Sequence, residues 1–221
     1  MVDIIKRLFR PAPLAQPAAV RVRTLEHPRH LVKGDALVLA DLPHIELPGR
    51  RFDVTSVNTY VLAGQPCPEL NLRAEHNEVA RLKPAPFPPP RDAVSFDFSR
   101  RLRRREVMAL FDLEDFSRLF EDKVHPFILP ARPPSTETPL PWLSREYHLE
   151  VDALKAIFHH GDYRGHLLPT PEQGEGLDFY RLTGQDHATF LEIEVFDNGD
   201  TEVFIGLRLP PAVVVRLEPR R

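Results

Sequence analysis

Phe190-Leu-Glu-Ile-Glu-Val-Phe-Asp-Asn-Gly-Asp-Thr-Glu-Val-Phe-Ile-Gly-Leu-Arg208 is a β-hairpin spelled out in the chain. Apolar residues alternate on both arms, the period-two signature of strands that turn one face to a core. Asn198-Gly199 supplies the reversal, because glycine takes φ > 0 without steric cost. Two registers compete. A two-residue loop pairs Ile193 with Phe204 and Val195 with Glu202 and so mixes the faces. A three-residue loop, Asp197-Asn198-Gly199, with Gly199 left-handed, sets Leu191, Ile193 and Val195 on one face with Val203, Ile205 and Leu207. Register follows the buried set, so the three-residue loop is expected. The other face then carries Glu192, Glu194, Phe196, Glu202 and Phe204 as a candidate binding surface, with Glu194 opposite Glu202. Directly opposed like charges are unfavourable; this pair needs solvent, an arginine or a cation.

Upstream, the first third of the chain is also strand-rich. Lys33-Gly34-Asp35 looks like a turn entering a buried strand, residues 51–62 read as one long or bent strand, and residues 69–74 and 78–82 read as a pair around His76-Asn77; residues 20–25 alternate as well. Residues 93–122 read strand, strand, helix. Residues 107–111 are expected to be extended, and Asp112 to cap a helix that turns Phe116, Leu119 and Phe120 to the core. Further on, residues 147–151 read as a strand. Asp152 then caps an expected second helix with a Leu154, Ile157, Phe158 stripe, closed by Gly161. Residues 177–182 and 213–217 add strands.

Proline punctuates this pattern. There are 24 prolines against 10 glycines, about twice the usual proline share of roughly 5%, and they cluster at 84–92 and 131–141. The expected architecture is therefore β-rich α+β: two mainly antiparallel sheet units with two or three short helices. Residues 1–19 are a basic amphipathic segment and tether, 20–83 a β-rich unit, 84–92 a polyproline linker, and 93–221 an α+β unit ending in the long hairpin.

Composition narrows the function classes. The 221 residues, 42% hydrophobic, suffice for one large domain or two small ones with a real core. A net charge of −3 argues against a general nucleic-acid binder. Cys67 is the single cysteine, so no intramolecular disulfide exists, which fits a reducing cytosol. No apolar run has transmembrane length, and residues 1–10 lack the uninterrupted apolar region of a secretory signal. In that segment Ile4, Ile5, Leu8 and Phe9 can share one helical side, with Lys6, Arg7 and Arg10 elsewhere. It suits either peripheral membrane contact or packing on its own domain.

Chemistry-bearing motifs are sparse. A phosphate-binding glycine loop, a dinucleotide fingerprint and a nucleophile elbow are all missing. His148, His159, His160 and Asp162 are the candidate metal ligands, since imidazole and carboxylate suit zinc or iron. Against them, adjacent histidines on a helix point about 100° apart. Arg100, Arg101, Arg103, Arg104 and Arg105 form a basic run that can contact phosphates or be neutralised by the acidic residues that follow. Cys67 sits between Pro66 and Pro68 in an expected loop; a nucleophilic role would need an electropositive pocket or a histidine such as His76, whose nearness in sequence alone does not supply it. Trp142 reads as a core anchor.

The short basic-hydrophobic start Ile4-Ile-Lys-Arg-Leu-Phe9, the Lys33-Gly-Asp35 strand entry and the closing hairpin running to Leu209-Pro210 resemble bacterial proteins of the YjfK-like group. The resemblance implies a cytosolic protein encoded beside membrane-stress and ATP-grasp genes. It carries over no catalytic residues. The residues together predict a cytoplasmic, non-catalytic binding or adaptor module with a protein partner, no nucleic acid and no cofactor beyond a divalent metal at the histidines. The alternative is a metal-assisted hydrolase using those histidines or the hairpin carboxylates.

Overall fold

In the computed structural model the described residues are 23–40, 51–74, 77–89, 94–121, 126–133 and 142–220. Eleven strands dominate them: β1 (Ala36–Leu39), β2 (Arg51–Leu62), β3 (Gln65–Arg73), β4 (Val79–Lys83), β5 (Phe96–Arg101), β6 (Ile128–Pro130), β7 (Glu146–His160), β8 (Glu175–Gly184), β9 (Thr189–Phe196), β10 (Thr201–Leu209) and β11 (Val214–Glu218). They form one antiparallel sheet in the order β11-β1-β2-β3-β4-β5-β10-β9-β8-β7-β6. A further pairing, Asn58–Leu62 of β2 with Ala156–His160 of β7, joins the eight strands from β2 to β7 into a closed ring. Closure satisfies the backbone groups that a free edge would expose.

The long strands β2 and β7 each change partner partway along. The first residues of β2 pair with β1 and its last with β7; the first residues of β7 pair with β6 and its last with β2. Register shifts sit between Val54 and Ser56 in β2, and in β7 between Leu149 and Val151 and between Val151 and Leu154. Bulges of this kind bend a strand and increase its twist, which lets one strand serve both the ring and its flank.

Alternation sorts side chains between two interiors. One face of the strands carries Val57, Leu70, Leu82, Phe98, Leu191 and Ile205, all buried in the main apolar core. Phe111 and Leu119 pack onto this layer from the segment holding two short helices, α1 (Arg104–Leu110) and α2 (Leu113–Ser117), and Trp142 joins them from the connection before β7. Each such side chain contributes about 1.5–3 kcal/mol when fully buried. The opposite face looks into the ring.

The hairpin has the expected three-residue register: Val195 pairs with Thr201, Ile193 with Val203 and Glu194 with Glu202, and Gly199 has φ 90°. Asp112 caps α2, its carboxylate accepting from the Glu114 N–H. Four other expectations are overturned. The fold is not α+β with two sheet units, because strands from the two halves join directly through β2–β7, β4–β5 and β1–β11. Alternation identifies a strand but not its partner, and the proline-rich connection after β4 still lets β5 return to pair beside it.

The expected helix after Asp152 is the second half of β7. Leu154, Ala156 and Phe158 turn into the ring at period two, and the shift around Ala153, with φ 43°, disguises that period. Residues 107–111, expected to be extended, fall largely within α1. Cys67 lies in β3 and is buried, not in a loop. Expectations on residues 1–22, His76 and most of 131–141 lie outside the described residues.

Candidate functional site

β4 shows how the ring acquires its charge. Ala80 and Leu82 enter the apolar layer, so Arg81 and Lys83 point into the ring. Arg81 meets the opposed glutamates of the hairpin: Nη1 lies 3.2 Å from Glu194 Oε1, Nη2 lies 2.9 Å from Glu202 Oε2, and the guanidinium rests 3.5 Å above the Phe204 ring. The like-charge pair is thus resolved by an arginine. Lys83 Nζ donates to Glu192 Oε2 at 2.6 Å. Arg181, from β8, donates to Glu192 at 2.7 Å and to Asp97 of β5 at 2.6 Å, and covers the Phe190 ring. The Tyr60 hydroxyl donates to Glu194 Oε2 at 3.0 Å. Apart from Arg181–Glu192, which pairs neighbours β8 and β9, these bonds join strands that are not neighbours, so they cross the lumen. Where β2 meets β7 the lumen is apolar, lined by Leu62, Ala156, Phe158, Leu177 and Phe179.

Burial decides the protonation of these groups. For Glu192 it favours the neutral acid, but Lys83 and Arg181 outweigh it and hold the carboxyl below its ordinary range. Glu69 fares differently. Neither of its oxygens accepts a hydrogen bond, and its nearest cations, Arg81 and Lys83, stand 3.4 and 3.9 Å away. Burial therefore dominates and pushes the carboxyl up to about 7. Burial also raises the Cys67 thiol, the reverse of what a nucleophilic cysteine needs.

The wall of the ring opens beside Arg81. The β4–β5 ladder covers only Arg81–Lys83 against Ser99–Asp97. Past Arg81 the strands diverge, and a cleft of about 1320 Å³ lies between the 77–81 segment, residues 100–104, α1 and the start of β10. Its charged lining is Arg81, Arg100, Arg101, Arg103 and Arg104 against Glu78, Glu106 and Glu202. Arg100 pairs with Glu106 at 2.9 Å and Arg101 with Glu202 at 2.7 Å. Arg103 and Arg104 are exposed and form no ion pair among the described residues. Val79 and Leu113, 61% and 54% exposed, add apolar surface. Arg81, Glu202 and Phe204 line both spaces, so the floor of the cleft is the mouth of the lumen.

Of the candidate binding residues, Glu192, Glu194, Glu202 and Phe204 gather in this lumen, while Phe196 packs beside Phe158 at 6.3 Å. The candidate metal ligands do not converge. His148 and His160 lie near opposite ends of β7, the first beside Glu146 and the second beside Glu175. His159 is buried and meets Tyr163 edge to face, while Asp162 binds Arg164. No three His, Cys, Asp or Glu side chains among the described residues are grouped to hold a metal ion. The sequence reading missed Arg81, Lys83, Asp97, Arg181, Glu69 and Tyr60. The available signal was charge alternating with apolar residues in Ala80-Arg81-Leu82-Lys83 and Phe96-Asp97-Phe98-Ser99. No protein-family model, curated protein or solved structure matches this chain.

Proposed function

We propose that the chain is a non-catalytic binding module and that the cleft beside Arg81 receives an acidic segment of a protein partner. One observation carries this: Arg103 and Arg104, exposed and without an ion pair among the described residues, flank exposed apolar side chains in a single concavity of a chain whose net charge is −3. The positive character is local and therefore built. Glu78, Glu106 and Glu202 within the same lining disfavour a continuous phosphate backbone, and Val79 and Leu113 suit apolar residues of a peptide. The scattered histidines give a metal-assisted hydrolase no comparable support. A cytoplasmic setting fits the single cysteine, which is a free buried thiol. No helix of the described residues is long and apolar enough to cross a membrane.

The test is calorimetric titration of the full chain with a capped hexapeptide of alternating glutamate and valine, at low and at physiological salt. Binding is expected to weaken with salt. The double variant Arg103→Glu/Arg104→Glu is expected to bind at least about tenfold more weakly, the equivalent of ~1.4 kcal/mol. Equal affinity for variant and parent would remove the cleft as the binding seat.

A further inference from the structure

We infer that the partner segment binds as an added β-strand along the open edge of β4, an inference that rests on the cleft being the binding seat. The backbone is the first ground. The Ala74 N–H donates to the Glu78 carbonyl at 2.9 Å, toward β3. Hydrogen-bonding direction alternates along a strand, so the N–H and C=O of Val79 turn to the other side. The β5 residue in line with Val79 is Arg101, but the ladder ends one pair earlier, at Arg81 and Ser99. There β5 pairs with β10 through Arg101 and Phe204, and the Arg101 carbonyl accepts from the Arg100 guanidinium at 3.2 Å. Among the described residues, a strand edge is therefore presented inside the barrel wall, facing the cleft.

The second ground is that this edge lacks the proline and lysine by which edges are often blunted. Residues 77–80 are Asn-Glu-Val-Ala, with neither proline nor lysine, and Val79 is β-branched and largely exposed. The two outer edges of the sheet are guarded. β6 ends in Pro130, and on β11 Arg216 and Glu218 are paired.

The third ground is the chemistry on either side of the slot. Register places Val79, Arg81 and Arg101 on the lumenal face, and Ala80 and Leu102 on the side of the apolar layer with Val107 and Trp142. An inserted strand turns successive side chains to these two sides. The fitting ligand is thus an extended segment alternating acidic with apolar residues, its acids on the arginine-lined side of the cleft. In strand addition, main-chain hydrogen bonds supply affinity and alternate side chains supply specificity.

The test uses the same glutamate–valine hexapeptide, plus two forms N-methylated at every second amide, one in each phase. N-methylation removes the donors while sparing the side chains. At least one methylated form is expected to bind about tenfold more weakly than the parent peptide. Val79→Pro, which removes the N–H on the cleft side, is expected to cause a comparable loss with the melting temperature little changed. If both methylated peptides bind like the parent while Arg103→Glu/Arg104→Glu still weakens it, strand addition is wrong and the binding seat stands. If the parent peptide does not bind, or binds the arginine variant equally, both fail. An oligonucleotide that binds more tightly than the peptide at equal salt would overturn the choice of a peptide partner.

Discussion

Glu69 is the residue on which the lumen's balance turns. Its carboxyl is buried, accepts no hydrogen bond and is raised from 4.5 to about 7, chiefly by burial. A raised acid makes the folded chain hold its proton more tightly than the unfolded chain does. Below about 4.5 both states are protonated and folding is not penalised. Between about 4.5 and 7 the unfolded state releases the proton first, so stability falls as pH rises, and above 7 the loss is complete. The total is on the order of 3 kcal/mol. Glu69→Gln should remove this dependence. Denaturation of parent and variant from pH 4 to 8 is expected to show the variant gaining relative stability across that window, and a constant difference would show that folding does not shift the Glu69 carboxyl. Neighbouring Glu192 works the other way, since its depressed carboxyl contributes stability that is lost toward acid. Taking the difference between parent and variant isolates Glu69. None of this was legible in the sequence, where Glu69 is one acid among many. Its distinction is the lack of a hydrogen-bond partner, which only the assembled lumen reveals.

At the scale of single elements, the sequence was most legible where local rules suffice. The hairpin register followed from keeping the apolar set together, and Asp112 announced a cap. The second half of β7 was misread because Leu154, Ile157 and Phe158 imitate helical spacing when a strand carries a register shift. The two glycines of the hairpin make a test of local against tertiary constraint. Gly199 has φ 90° with open space around a would-be Cβ, whereas a Cβ on Gly206 would meet the Phe190 ring and, at 2.7 Å, the Phe98 carbonyl oxygen. Gly199→Ala should cost about 1 kcal/mol, the backbone penalty alone. Gly206→Ala should cost more, about 1–3 kcal/mol, because rigid backbone must move. Chemical denaturation of the two variants checks the order, and a reversed order would mean that the β9–β10 arms yield more easily than their turn.

Across the whole molecule, the decisive fact is that β2 and β7 close the ring while each also holds a flank. No strand of the ring can leave without breaking its closure, so the ring should unfold as one unit. Far-ultraviolet and near-ultraviolet dichroism are expected to give coincident denaturation midpoints; separated midpoints would show that the two proline-bounded stretches behave independently after all. Closure is also why the candidate site was only partly legible. Its members come from seven strands, and each strand displays its own alternation without naming the strand it will face across the lumen. The hairpin carboxylates and the basic run were both visible in the sequence. That Arg81 ties one to the other was not.

Trp142 turns this layout into a measuring device. It is the chain's single indole, tilted against Phe98 at 5.9 Å in the apolar layer, and it also lines the cleft, while the sheet screens it from Glu69. Its ultraviolet emission should therefore respond when the cleft fills and stay silent when the lumenal acid takes up a proton, so that one spectrum tells the two events apart in the unlabelled protein.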